Sequence, residues 1–251
     1  MLRRTVVGLA ALGLLAATAG PASAAGQKLR WKFDSVSAVV TTVVDDSGNN
    51  HTGTVATSNG GQVTAVTPGR DGIGQAVRFP AACTTAPCPE AIISAPGTGT
   101  DLDPGTQPFS YGVWTKVLPS ELSTSTGSNL FQKGLWNTSQ WKVQIDYHSP
   151  FPLGAPSCVV VEPGGANATI VRSTVTVADG NWHKVTCQRT ATEVQIYVDS
   201  TKTGHESLPA TFVIDPAGAP VTLGAKSVGS NNDQYHGILD DVFYNAYLSY
   251  P

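Results

Sequence analysis

Methionine is nearly absent from this chain: one occurs in 251 residues, at position 1. Charge is scarce as well, at 13% of residues. Runs of Ala, Leu, Glu and Lys at helical spacing are missing, which excludes a helical bundle or a coiled coil. Beyond the first segment no stretch is apolar enough to span a membrane as a helix. The five glutamates are Glu90, Glu121, Glu162, Glu193 and Glu206, and none has an acidic residue two positions away. There is no Gly-x-Ser-x-Gly elbow and no glycine-rich phosphate loop before a helix. Nothing announces an enzyme. What is present is 26 Gly, 17 Pro and a 41% hydrophobic fraction, enough apolar surface for a core. Short Val-, Thr- and Tyr-rich runs separated by Gly, Pro, Asn and Asp point to an all-β protein.

The first 24 residues read as a signal peptide rather than as part of the fold. Arg3 and Arg4 make a basic start, residues 6–17 are apolar, and Ala22-Ser23-Ala24 supplies the small-x-small pattern before cleavage. The apolar run is too short to cross a bilayer comfortably. Export follows as the expectation, with a secreted, extracellular mature domain over residues 25–251 and no membrane contact after cleavage. Loss of the two arginines takes the net charge from −3 to −5. That mild acidity argues against nucleic acid as a partner.

Cysteine usage suits that compartment. Cys83, Cys88, Cys158 and Cys187 are an even set, which in an exported chain reads as two disulfides, with three pairings possible. Cys83 and Cys88 flank Thr-Thr-Ala-Pro and would close a small loop. Cys158 and Cys187 each lie in a strand-like run and would join two strands. A zinc site is disfavoured by the 83–88 spacing and by the lack of a neighbouring histidine.

Strands dominate the rest. Trp141, Val143, Ile145 and Tyr147 alternate with Lys142, Gln144, Asp146 and His148, so one face is apolar and the other polar. Residues 109–114 and 194–199 alternate likewise. Further strands are expected at 29–33, 75–79, 91–94, 129–132, 158–162, 169–177, 182–189, 221–224 and 236–244. No linker divides the chain and no repeat period stands out.

Four motifs then fall in a recognisable order. They are Trp31-Lys32-Phe33-Asp34 with Asp46-Ser47-Gly48-Asn49-Asn50; Gly72-Ile73-Gly74-Gln75-Ala76-Val77-Arg78-Phe79; Asp179-Gly180-Asn181-Trp182-His183-Lys184-Val185 with Val194–Asp199; and Gly237-Ile238-Leu239-Asp240-Asp241-Val242. Together they resemble a LamG-like jelly-roll domain of the concanavalin A-like lectin/glucanase superfamily. The resemblance implies a two-sheet antiparallel jelly-roll sandwich. It departs from the family at Ser200, where glycine is usual, and in the loop that holds Cys83 and Cys88. The glucanases of that superfamily carry Glu-x-Asp-x-Glu on one strand, which this chain lacks. Asp101 and Asp103 have the right spacing but precede Pro104-Gly105 and read as turn residues.

The resemblance also implies a structural Ca²⁺ tying the first strand to the last. Asp34 and Asp240 would supply carboxylates, and Asp46 with its neighbouring carbonyls would complete an oxygen shell. The alternative is that these aspartates cap turns or bind backbone amides. For carbohydrate, the candidate contacts are Trp136, Asn137 and Gln140 in one loop and Asp233 and Tyr235 in another, since aromatic faces stack on sugar rings and amides bind hydroxyls. Trp31, Trp114, Trp141 and Trp182 are expected in the core. The functional expectation is a non-catalytic module that binds extracellular carbohydrate or glycoconjugate. A glycoside hydrolase or polysaccharide lyase with an unrecognised site, and an adhesion protein binding another protein, are the alternatives.

Overall fold

A computed structural model describes residues 26–123, 127–229 and 231–247. The expected signal peptide lies outside the described residues. In chain order the strands are β1 Gln27–Trp31, β2 Thr42–Val43, β3 Gly53–Ser58, β4 Thr64–Val66, β5 Ala76–Arg78, β6 Glu90–Gly97, β7 Phe109–Lys116 and β8 Ser128–Leu135. They continue as β9 Ser139–Ile145, β10 Pro156–Val161, β11 Ala168–Arg172, β12 His183–Arg189, β13 Glu193–Val198, β14 Thr201–Ser207, β15 Gly218–Leu223 and β16 Ile238–Asn245. The first sheet runs β14-β13-β12-β7-β16-β5-β4, with β1 also paired to β16; the second runs β11-β10-β9-β8-β15-β6-β3-β2. All pairings of named strands are antiparallel.

The two sheets face each other across a core set by strand alternation. Phe109, Tyr111 and Val113 of β7 and Leu239 and Val242 of β16 meet Phe131 of β8 and Trp141 and Val143 of β9. Trp141 packs against Tyr111, Phe131 and Tyr244 with ring centroids 4.9–5.2 Å apart. Its indole N–H donates to the Leu102 carbonyl at 3.0 Å, so the polar tip of this buried ring is satisfied. Trp31 and Trp141 lie in the core as expected. Trp114 and Trp182 are only half-buried, because both alternate out of phase with the inward residues.

Both disulfides form: Cys83 with Cys88, and Cys158 with Cys187. The second joins β10 to β12, hence one sheet to the other. Four strands escape the sequence pattern. Of these, β14 carries no apolar side chain, β3 turns only Val55 towards the core, and β2 and β4 are too short to show a period. The expected strand over 169–177 stops at Arg172. Ser173 Oγ accepts from the Val175 N–H and donates to the Val175 carbonyl, a local pair that replaces the ladder.

One turn carries a pH-sensitive clamp. His183 opens β12, with Nδ1 2.6 Å from Asp199 and Nε2 3.0 Å from Asp179. Partial burial works against its charge, but the bonds to Asp199 and Asp179 win and raise its pKa above the ordinary value. A raised histidine adds stability that is complete below its unfolded pKa of about 6.5 and fades as pH rises through the folded value. His183→Gln should therefore flatten the melting temperature against pH above about 6.5. Equal slopes in wild type and variant would remove this clamp from the account.

Candidate functional site

The polar side of the second sheet forms one continuous surface. Cross-strand register lines up Ile170, Val159, Lys142, Gln132, Thr222, Ser94 and Thr54, one from each of seven neighbouring strands. The next row holds Arg172, Ser157, Gln144 and Asn129. The alternate residues, such as Trp141, Phe131 and Leu223, point into the core, so these rows point away from it.

Although it faces outward, this surface is recessed: Gln132 is 2% exposed, Thr222 3% and Gln144 6%. Internal bonds fix some of the amides. Asn129 Nδ2 donates to Gln132 Oε1 at 2.7 Å, and Gln132 Nε2 and Gln140 Nε2 both donate to the Gly134 carbonyl. Gly134 adopts φ +81°, and a Cβ there would collide with the Ser139 carbonyl, so only glycine lets β8 and β9 approach at this point. Five buried atoms of the surface have no protein partner among the described residues: Asn129 Oδ1, Gln140 Oε1, Ser157 Oγ, Arg172 Nε and Thr222 Oγ1. Buried polar atoms are normally paired, so five on one sheet face mark unmet hydrogen-bonding capacity.

Charge is placed along the same face. Lys226 donates to Asp233 at 3.0 Å, and Arg172 lies 3.8 Å from Asp146. Burial pushes the Lys142 amine down to about 8, against the pull of Asp233 and with help from Lys226. A hollow of about 320 Å³ deepens the face where Gln132, Thr222 and Lys226 meet Leu135, Thr138 and Pro216.

The expected sugar contacts divide. Trp136 is 52% exposed in the β8–β9 turn, and Asn137 is exposed beside it. Gln140 faces the same surface but is buried, and its amide is tied to Gly134. Asp233 lies at the other end of β8, where its carbonyl accepts from Asn129 N–H. Strand rise puts the two ends about 20 Å apart. Tyr235 belongs elsewhere and corrects the expectation. It is fully buried, its ring meets Phe79 edge-on, and its hydroxyl bonds Thr115 Oγ1 at 2.7 Å. The backbone turns inward after Asp233, so Tyr235 fills the core. Lys142, Gln132, Gln144, Thr222 and Lys226 come together only through strand pairing and the turn after β15, so no run along the sequence marks them as a site. The alternation around Trp141 already placed Lys142 and Gln144 on a polar face.

The three expected calcium ligands do not gather as a set; among the described residues no three His, Cys, Asp or Glu side chains could hold one ion. Asp46 accepts from Lys32 N–H at 3.3 Å. Asp34 and Asp240 instead stand beside the same turn, residues 69–74. A Cβ on Gly74 would strike the Asp34 carboxylate, and one on Gly69 would lie 3.1 Å from Asp240. Burial raises the Asp240 carboxyl to about 6, with the bond from Arg70 N–H opposing. Asp34, Asp240 and the carbonyls of that turn are the oxygen donors a hard cation takes, while Asp34 and Asp46 line a separate hollow of about 160 Å³ that Asp240 does not reach.

Asp101 and Asp103 are more than turn residues. Asp101 lies 2.9 Å from His51 Nε2, and Asp103 pairs with Lys133 inside the protein. Both line a hollow of about 470 Å³ at the end of the sandwich, with Pro104, Phe109 and Tyr247.

A family model described as the concanavalin A-like lectin/glucanases superfamily matches residues 92–249. The chain belongs to this superfamily. Similar solved structures of the fold include domain 4 of an extracellular GH43 arabinanase from Geobacillus stearothermophilus, in complex with arabinotriose. That match has a TM-score of 0.63 and 17% identity, over 89% of this chain and 94% of that one. The binding domain of Paraclostridial Mosquitocidal Protein 1 gives 0.63 and 14% over 89% of this chain. The binding domain of Botulinum Neurotoxin DC, in complex with SialylT, gives 0.59 and 12% over 90%. This lectin/glucanase-superfamily chain spans about half the length of either toxin domain, 49% in both cases. A search of curated protein sequences found no match. At these identities the likeness is one of fold.

Proposed function

We propose that the protein is a secreted, non-catalytic module that binds extracellular carbohydrate or glycoconjugate through the polar face of the second sheet. The observation that carries this reading is the row Lys142, Gln132, Thr222 and Ser94, which runs across adjacent strands beside a hollow of about 320 Å³. Sugar hydroxyls both donate and accept, so they suit a face that sets hydroxyl and amide side chains beside lysine amines. Exposed Trp136 at one end supplies a ring for stacking. The complexes of the arabinanase domain with arabinotriose and of the neurotoxin domain with SialylT support a saccharide ligand for this fold.

The test is retention of the protein on immobilised arabinan, xylan and cellulose, with released reducing ends assayed in parallel. Gln132→Ala with Lys142→Met should weaken retention about tenfold or more, the loss of one charge-assisted bond from the lysine and one neutral bond from the amide. Retention unchanged by these substitutions would overturn the site, and release of reducing ends would overturn the non-catalytic reading. Calcium enters as a stabilising ion, held by Asp34, Asp240 and the 69–74 turn. A melting temperature that rises with Ca²⁺ in wild type and not in Asp34→Asn tests that part separately.

A further inference from the structure

We infer that the outer face of the first sheet holds a second binding site, for the carboxylate or sulfate group of an acidic polysaccharide. A groove of about 390 Å³ lies there, on the far side of the sandwich from the polar face. Arg30, Arg70 and Lys184 line it with a single carboxylate, Asp241. In a chain whose net charge is −3, this is a local excess of positive charge.

The site is built rather than incidental. Asp241 sits in the left-handed region at φ 51°, at a bulge in β16 between Asp240 and Phe243. Bulges re-aim side chains, and a non-glycine residue in this conformation is strained unless its surroundings hold it. Here the bulge brings the Asp241 carboxylate between two guanidinium groups. Arg30 Nε donates at 2.7 Å and Arg70 Nη2 at 2.9 Å. Asp240 lies outside the groove lining and accepts from the Arg70 backbone N–H.

Aromatic rings hold the cations flat. Arg70 lies 4.7 Å over the Trp114 ring, and the Lys184 amine 5.5 Å over Phe243. Each contact removes rotamer freedom before any ligand arrives. One carboxylate uses a minority of the thirteen N–H donors on two arginines and a lysine, about five on each guanidinium and three on the ammonium. An arriving anion would meet the remainder in place.

The occupant is a sugar acid rather than an acidic peptide strand. The groove lies over β1, β7, β12 and β16; the last three have paired neighbours on both sides, and the outer edge of β1 is covered by residues 45–49, where Arg30 N–H donates to Asp45 Oδ1, the Arg30 carbonyl accepts from Asp46 N–H and Ser47 Oγ donates to the Lys28 carbonyl. No free sheet edge is offered for strand addition, the usual way an extended peptide binds a β-protein. Trp114 and Phe243 instead offer apolar surface beside the cations, which suits a ring that carries a charged substituent.

The test measures binding of the full chain to dextran sulfate, polygalacturonate, uncharged dextran and polyglutamate across a salt series. The two acidic polysaccharides should bind at low salt and weaken steeply as salt rises, while uncharged dextran gains nothing from this groove. Arg70→Gln with Lys184→Gln should reduce acidic-polysaccharide binding about tenfold. Lys184→Gln alone, which breaks no ion pair, should retain the wild-type melting temperature and still bind less. Gln132→Ala on the opposite sheet should leave acidic-polysaccharide binding intact, which separates the two faces. Equal binding by Lys184→Gln and wild type, no binding of either acidic polysaccharide, or equal binding of polyglutamate would overturn the assignment.

Discussion

Cys158→Ala with Cys187→Ala is expected to lower stability by about 3–4 kcal/mol. The bond closes a segment with a sequence separation of 29 and joins the sheets through β10 and β12. Loop-closure entropy in the unfolded chain sets that magnitude, and a domain of this size loses about 2–4 °C in melting temperature per kcal/mol. The double variant should therefore melt about 10 °C lower. Both cysteines are fully buried, so the alanines also leave small cavities that add to the loss. Cys83→Ala with Cys88→Ala is the internal control. That separation is 5, and the same model gives about 2 kcal/mol. Scanning calorimetry on both variants decides the matter. If the 83–88 variant is the less stable of the two, the cross-sheet bond does not have the role given to it here.

Lys133→Met should cost about 3–5 kcal/mol, the range for breaking a buried ion pair from one side. The Lys133 side chain is 1% exposed and that of Asp103 4%. Lys133 Nζ also donates to the Pro216 carbonyl at 3.3 Å, while Asp103 Oδ2 has no partner among the described residues. Burial already raises the Asp103 pKa, and Asp215 and Asp101 add to it; Lys133 is what opposes them. Without the ammonium, Asp103 keeps its buried carboxyl and loses its counter-charge. Replacing both residues, as Lys133→Met with Asp103→Leu, should recover most of the loss, since an apolar pair of similar volume removes the unpaired charge. Urea unfolding of the two single variants and the double measures this directly. A double variant that falls by the sum of the singles would show that the pair does not act as a unit.

The fold was legible because its strands obey period two where one side is buried. The run from Trp141 to Asp146 showed which residues enter the core and which leave it, and the structure follows that division to Ile145. The pattern fails where both sides of a strand are polar, as in β14, where a single apolar side chain faces the core, as Val55 does in β3, or where a serine side chain competes for the backbone, as at Ser173. The site was less legible, because it is a row across strands rather than a run along one. Lys142, Gln132 and Thr222 are about 10 and 80–90 positions apart and become neighbours only through strand register. Tyr235 shows the converse difficulty. An aromatic residue in a polar loop reads as surface until the path of the backbone is known.

The placement of β16 has a consequence for how the chain is made. Residues 238–245 are the last of the described strands, yet they lie at the middle of the first sheet, paired with β1, β5 and β7. As the polypeptide is synthesised, those three partners emerge long before the strand that joins them. The first sheet cannot close while its centre is still unmade, so the earlier strands wait with open edges. Contacts such as Trp31 with Val242 span most of the sequence, which makes loop closure a large part of the barrier and folding slow. This topology favours a chain that stays unfolded until β16 has been made.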